Sequence, residues 1–201
     1  MKQSIKSTLA VGIGLVAAAG LVLVPAAANA AQQTSSTTVR TTIASTISLS
    51  TGPLVTMGVT PVAGGSQSSV SDTATVSTNN PTGYTLTLQD ADATTTLTDG
   101  SNTIAASANT PAAPAALANN TWGFAVPALG SFDASYSVLT NASSSASKWA
   151  GVPASGSPFT VYSHGTTASG VATTVWYSTK ADTTKPAGDY NDGVVYTATT
   201  Q

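Results

Sequence analysis

From Val39 onward, apolar side chains recur at every second position in short runs, and each run stops at Gly, Pro, Asn or Asp. Val39, Ile43, Ile47 and Leu49 share one parity, with Arg40, Thr42, Thr46 and Ser48 between them. Tyr84, Leu86 and Leu88 alternate with Thr85 and Thr87, and Val171, Thr173, Val175 and Tyr177 alternate with Ala172, Thr174 and Trp176. A period of two is that of a strand with one face buried, and on a helix it would scatter the apolar residues around the axis. Val55-Met57-Val59, Val70-Ala74-Val76, Trp122-Phe124-Val126, Phe132-Tyr136-Val138 and Val194-Tyr196-Ala198 extend the pattern. With breakers every 8–12 residues, this predicts an all-β fold of nine or ten short strands, a single antiparallel β-sandwich of Ig-like or Greek-key type.

Composition agrees with strands. About one residue in six is Thr, a β-branched residue suited to a pleated surface, and Glu is absent. Regular apolar alternation separates the chain from the disordered sequences that a Ser/Thr-rich composition otherwise suggests.

The first thirty residues follow another rule. Lys2 and Lys6 precede the apolar run Leu9 to Val24, and Ala28-Asn29-Ala30 has the small-x-small form read by signal peptidase. The run is shorter than the roughly 20 residues that span a bilayer. We therefore expect a signal peptide over 1–30 with cleavage after Ala30, a flexible leader over 31–37 and a β-sandwich domain over 38–201. The expected location is extracellular, at the cell surface, with no membrane span in the mature chain. The chain has no Cys, so neither a lipid-modified Cys nor a disulfide framework is available.

Beyond Lys2 and Lys6 the cations are Arg40, Lys148, Lys180 and Lys185, set against eight Asp. So few cations cannot neutralise a row of phosphates, which argues against nucleic acid and against an anionic membrane surface as partners. His164 is the only histidine, and no Asp or Ser stands in a catalytic motif with it, so no enzyme activity is expected. Asp90, Asp92 and Asp99, and Asp189 with Asp192, are hard oxygen donors at short spacing, where Ca2+ is the one cofactor the residue types would suit. Such residues also favour turns through local hydrogen bonds, and a structural role is the competing reading. Trp122 and Trp176 fall on strands and are expected in the core. Trp149 lies in the polar loop 140–158, where it plugs the end of the sandwich or stacks on a sugar ring.

Two segments carry a resemblance: Thr82-Gly83-Tyr84-Thr85-Leu86-Thr87-Leu88, and Lys185-Pro186-Ala187-Gly188-Asp189-Tyr190 leading to Tyr196-Thr197-Ala198. Their layout resembles that of bacterial WxL-type surface domains, which carry two Trp-x-Leu motifs on strands, the second after a Pro-Ala-Gly-x-Tyr turn. Here Tyr stands at both Trp positions. The resemblance implies an Ig-like β-sandwich surface protein held non-covalently to peptidoglycan, in an adhesion or surface-layer role. Tyr84, Leu86, Trp149 and Tyr196 are then the expected contacts to peptidoglycan, another surface polymer or surface proteins. The alternatives are a self-associating subunit of a pilus, fibre or surface lattice, and a carbohydrate- or calcium-binding module.

Overall fold

The computed structural model describes residues 31–201, so the signal peptide expected over 1–30 lies outside the described residues. Ten strands and no helix are present among them: β1 (Ile47–Ser50), β2 (Ser66–Thr78), β3 (Tyr84–Asp90), β4 (Thr96–Asp99), β5 (Asn102–Ala106), β6 (Thr121–Ala125), β7 (Leu139–Ala142), β8 (Phe159–His164), β9 (Ala168–Ala181) and β10 (Val194–Thr200). They form two sheets, as a β-sandwich requires. The larger runs β1-β2-β9-β6-β5-β4, with β7 also pairing β2, and the smaller runs β10-β3-β8. One pair departs from the expected antiparallel rule, since β5 and β6 run parallel.

The larger sheet is organised by the ladder between β2 and β9, which runs from Ser66 opposite Ala181 to Thr78 opposite Ala168. Its two halves are built differently. Ala74, Val76, Thr173 and Val175 face inward by alternation, whereas Ser66, Gln67, Ser68 and Ser69 are all buried at the other end. There Gln67 Nε2 donates to Ser178 Oγ at 2.9 Å, and Ser178 Oγ donates to the Ser68 carbonyl at 2.8 Å. The polar run survives burial because most of its groups find partners: Ser66, Ser68 and Ser69 donate to the Thr60, Gly58 and Ser137 carbonyls, while Gln67 Oε1 has none among the described residues.

The segment TNNPTGY crosses between the sheets, because β2 and β3 lie in different ones. The Asp99-Gly100-Ser101-Asn102 turn does close a hairpin, with Gly100 at φ 59° and Asp99 opposite Asn102. The expected strand from Val39 forms only over Ile47–Ser50. Ile47 pairs with Thr78, the last residue of β2, so the ladder has no backbone left to offer earlier residues. The Asn79 side chain adds one step, accepting from Thr46 N at 2.7 Å and donating to the Ala44 carbonyl at 2.8 Å. Residues 31–46 have no strand and are exposed throughout.

Val55, Met57 and Val59 are half-buried with exposed neighbours but form no strand. Side chains hold this segment instead: Ser68 Oγ donates to the Gly58 carbonyl at 2.6 Å, and Thr60 N donates to Asn141 Oδ1 at 2.5 Å. Phe132-Tyr136-Val138 is likewise not a strand, and residues 105–120 contain no helical turn. The loop 105–120 is instead tied down by a bridge between Ala115 and Trp149.

The core lies between the sheets, with Tyr84, Leu86, Leu88 and Val161 from the smaller facing Val76, Phe124, Val175 and Tyr177 from the larger. Trp149 is fully buried and plugs this core, its ring centroid 5.0 Å from that of Tyr136. The Tyr136 hydroxyl is pushed up to about 12, chiefly by burial. Charge contributes little: the ion pair among the described residues joins Lys148 to Asp133 at 4.0 Å, half in solvent.

Trp149→Ala should cost about 3–5 kcal/mol, because the ring's volume is not refilled; urea denaturation of the variant against the parent chain checks it. Asp182 supplies a pH effect. Hydrogen bonds from Thr184 and then Asn120 hold its carboxyl down at about 2. Its folded value lies below its unfolded one, so its contribution is present above about pH 4 and is lost as pH falls through 2. Asp182→Asn should therefore flatten the acid limb of stability against pH, read from thermal melts between pH 2 and pH 5.

Candidate functional site

The alternation that builds β3 puts Tyr84, Leu86, Leu88 and Asp90 on one buried face. Asp90 thus stands where the strand calls for an apolar residue, and it is 0% exposed. Its backbone N–H donates to the Pro153 carbonyl at 2.8 Å, and its Oδ1 accepts from Asp92 N at 2.9 Å, while Oδ2 has no hydrogen-bond partner.

Two further carboxylates converge on it. Asp92 caps its own turn, accepting from Thr94 N at 2.7 Å and Thr94 Oγ1 at 2.9 Å, and is otherwise exposed. Asp192 arrives from the start of β10, where the register sets Val194 opposite Asp90. Its approach needs Gly193: a Cβ there would lie 2.9 Å from the Ala91 Cβ, and the Gly193 carbonyl accepts from Ala91 N at 3.0 Å.

One oxygen from each of Asp90, Asp92 and Asp192 lies within 4.8 Å of the others. No Lys or Arg nitrogen among the described residues comes within 4.0 Å of them. Burial pushes the Asp192 carboxyl up to about 6, opposed by the Gly193 N–H and reinforced by Asp90 and then Asp92. Asp192 Oδ2 is also buried without a partner. Two buried oxygens lacking donors beside a third carboxylate form an electron-rich recess that a proton or a metal ion would relieve.

The sequence reading grouped Asp99 with Asp90 and Asp92. The structure separates it: Asp99 sits in the β4–β5 hairpin, packed against the Gly188 backbone, and Asp192 takes its place in the cluster. Asp192 is remote in sequence and enters through the β3–β10 register. Asp90 itself was legible, since the period of two that buries Leu86 and Leu88 buries it as well.

The expected contact residues fare differently. Tyr84, Leu86 and Trp149 are each 0% exposed, so no surface of theirs meets a polymer, a correction imposed by the core-facing parity of β3 and by the packing of Trp149. Tyr196 is partly buried, and its hydroxyl bonds that of Tyr177 at 2.7 Å, linking the two sheets. Burial raises both phenols, Tyr177 well above its ordinary range. The two Tyr motifs are nonetheless brought side by side, with Leu86 opposite Ala198 and Leu88 opposite Tyr196. His164 packs near Tyr84 and Tyr162, with Nε2 3.2 Å from Thr166 Oγ1. No helix among the described residues is long and apolar enough to cross a membrane. Comparison with protein-family models, curated proteins and solved structures returned no match.

If the tyrosines are structural, their hydroxyls should separate on substitution. Tyr84 Oη is buried without a partner, so Tyr84→Phe should be neutral or slightly stabilising. Tyr196→Phe should cost about 1–3 kcal/mol by stranding the Tyr177 hydroxyl. Equilibrium unfolding of the two variants, side by side, checks the contrast.

Proposed function

We propose that this chain is an exported, non-catalytic structural subunit of a surface fibre or lattice, joined copy to copy by its N-terminal arm. The observation that carries the reading is the arm itself. Residues 38–46 keep strand alternation, yet Val39 is 88% and Ile43 82% exposed, and no strand pairs them among the described residues. An alternating segment with an unused apolar face and unused backbone groups is what strand addition to a neighbour requires.

The receiving partner is a second copy. The smaller sheet ends in β10 and β8, whose outer edges are unpaired. Neither strand contains a Lys, Arg, Asp, Glu or Pro, the residues that usually guard an edge. Export rests on the signal-peptide pattern in residues 1–30. An Ig-like type is favoured by the crossovers β2 to β3 and β9 to β10, which pass between the sheets.

A second reading, non-covalent association with peptidoglycan, is favoured by the lateral pairing of the two Tyr motif strands. Its contacts would be the half-buried Thr85, the exposed Thr197 and the outer face around them rather than the buried rings.

Sedimentation and electron microscopy of the purified mature chain test the first reading. Filaments or sheets should grow with concentration, and should be lost on deleting residues 31–46 or in Val39→Asp/Ile43→Asp, with the circular dichroism of the domain retained. A parent chain that stays monomeric at millimolar concentration, or an armless variant that still polymerises, overturns it. Pelleting only with peptidoglycan sacculi would transfer support to the second reading.

A further inference from the structure

We infer that Asp90, Asp92 and Asp192 form a calcium site that fastens the start of β10 to the end of β3. The inference is independent of the assembly reading.

Three observations carry it. The first is the span. Ca2+ takes oxygen ligands at about 2.3–2.6 Å, so oxygens on opposite sides of one ion lie about 4.8 Å apart. The three carboxylate oxygens all fall within that distance of one another. One ion seated among them is within reach of all three carboxylates.

The second is the buried orphan. Asp90 is fully buried on the core face of β3, and its Oδ2 has no donor from any described residue. A surface acidic cluster is stabilised by water, but a carboxylate withdrawn from water requires a partner of its own. Asp192 Oδ2 is buried and unpartnered in the same recess. The neighbouring carboxylates are acceptors too, so what the group lacks is positive charge. No Lys or Arg supplies it within 4.0 Å.

The third is the backbone around the cluster. The three ligands come from the end of β3, the turn after it and the residue before Gly193, and the Asp90–Val194 and Ala91–Gly193 contacts fix their separation. Asp92 is exposed and gives the ion a path from solvent. Calcium usually takes 6–8 oxygens, so carboxylates binding through one or both oxygens leave positions for water on the Asp92 side. Hard carboxylate oxygens without His or Cys select this class of ion over softer metals.

The alternative relief is a proton shared between Asp90 and Asp192, and the test separates the two. Thermal melting of the purified chain at pH 7 is followed in EGTA and in rising CaCl2. Calcium should raise the melting temperature in a saturable way, by about 5–10 °C at a hundredfold excess over the dissociation constant. Asp92→Asn keeps the oxygen that accepts from Thr94 and should fold normally, yet should need at least tenfold more calcium for the same shift. Asp99→Asn, outside the cluster, should respond as the parent does. Isothermal titration with CaCl2 should give one site in the parent and weakened binding in Asp192→Asn. A melting temperature equal in EGTA and in 10 mM CaCl2, with stability set by pH alone, overturns the proposal in favour of the shared proton. So does an Asp92→Asn variant that responds as the parent does.

Discussion

Everything in the larger sheet hangs from the ladder between β2 and β9. These two strands, of thirteen and fourteen residues, supply the partners for β1, β7 and β6. Such a ladder could slip by two residues without moving any side chain to the other face. The buried polar run at one end removes that freedom. Gln67, Ser68 and Ser178 bond one another across the strands, and a slip would leave them buried without partners. The apolar half supplies burial and the polar half supplies the register. The second sheet is then attached through the core and through the Tyr177–Tyr196 hydroxyl bond, whose donor and acceptor stand one on each sheet.

The fold class was legible because period two is unambiguous wherever one face is buried, as at Tyr84–Leu88 and Val171–Tyr177. It misled where alternation lacked a neighbouring strand. Val39–Ser45 and Val55–Val59 have the pattern without the ladder, because a strand is completed by another segment's backbone and sequence alone does not say where that segment ends. The opposite failure occurs at Ser66–Ser69, a buried polar stretch of strand with no apolar alternation to mark it. The Gln67 amide and the Ser68 carbonyl there find their partner, Ser178, more than a hundred residues away, beyond any local rule. Trp149 illustrates a third kind: its loop looks solvent-facing, but the bridges of Ala115 to Trp149 and Phe124 to Ala150 fold the loop inward.

The Asp cluster was half visible for the same reasons. Asp90 and Asp92 are neighbours in sequence, and the parity of β3 already buries the first. Asp192 could be recognised only with the β3–β10 register in hand. At Asp90 a polar residue occupies a position where strand pattern and core packing both call for an apolar one, and such conflicts between local and global rules tend to mark sites rather than accidents.

The one ion pair among the described residues, a long one between Lys148 and Asp133, has a consequence for the surroundings this domain tolerates. Salt largely screens exposed charges from one another beyond about 10 Å at 0.1 M and weakens exposed pairs, but leaves hydroxyl–carbonyl bonds and buried apolar surface largely as they were. A surface dressed in Thr and Ser, and a scaffold with one half-exposed ion pair among the described residues and no cystine, leave little beyond the Asp cluster for salt or a reducing agent to act upon.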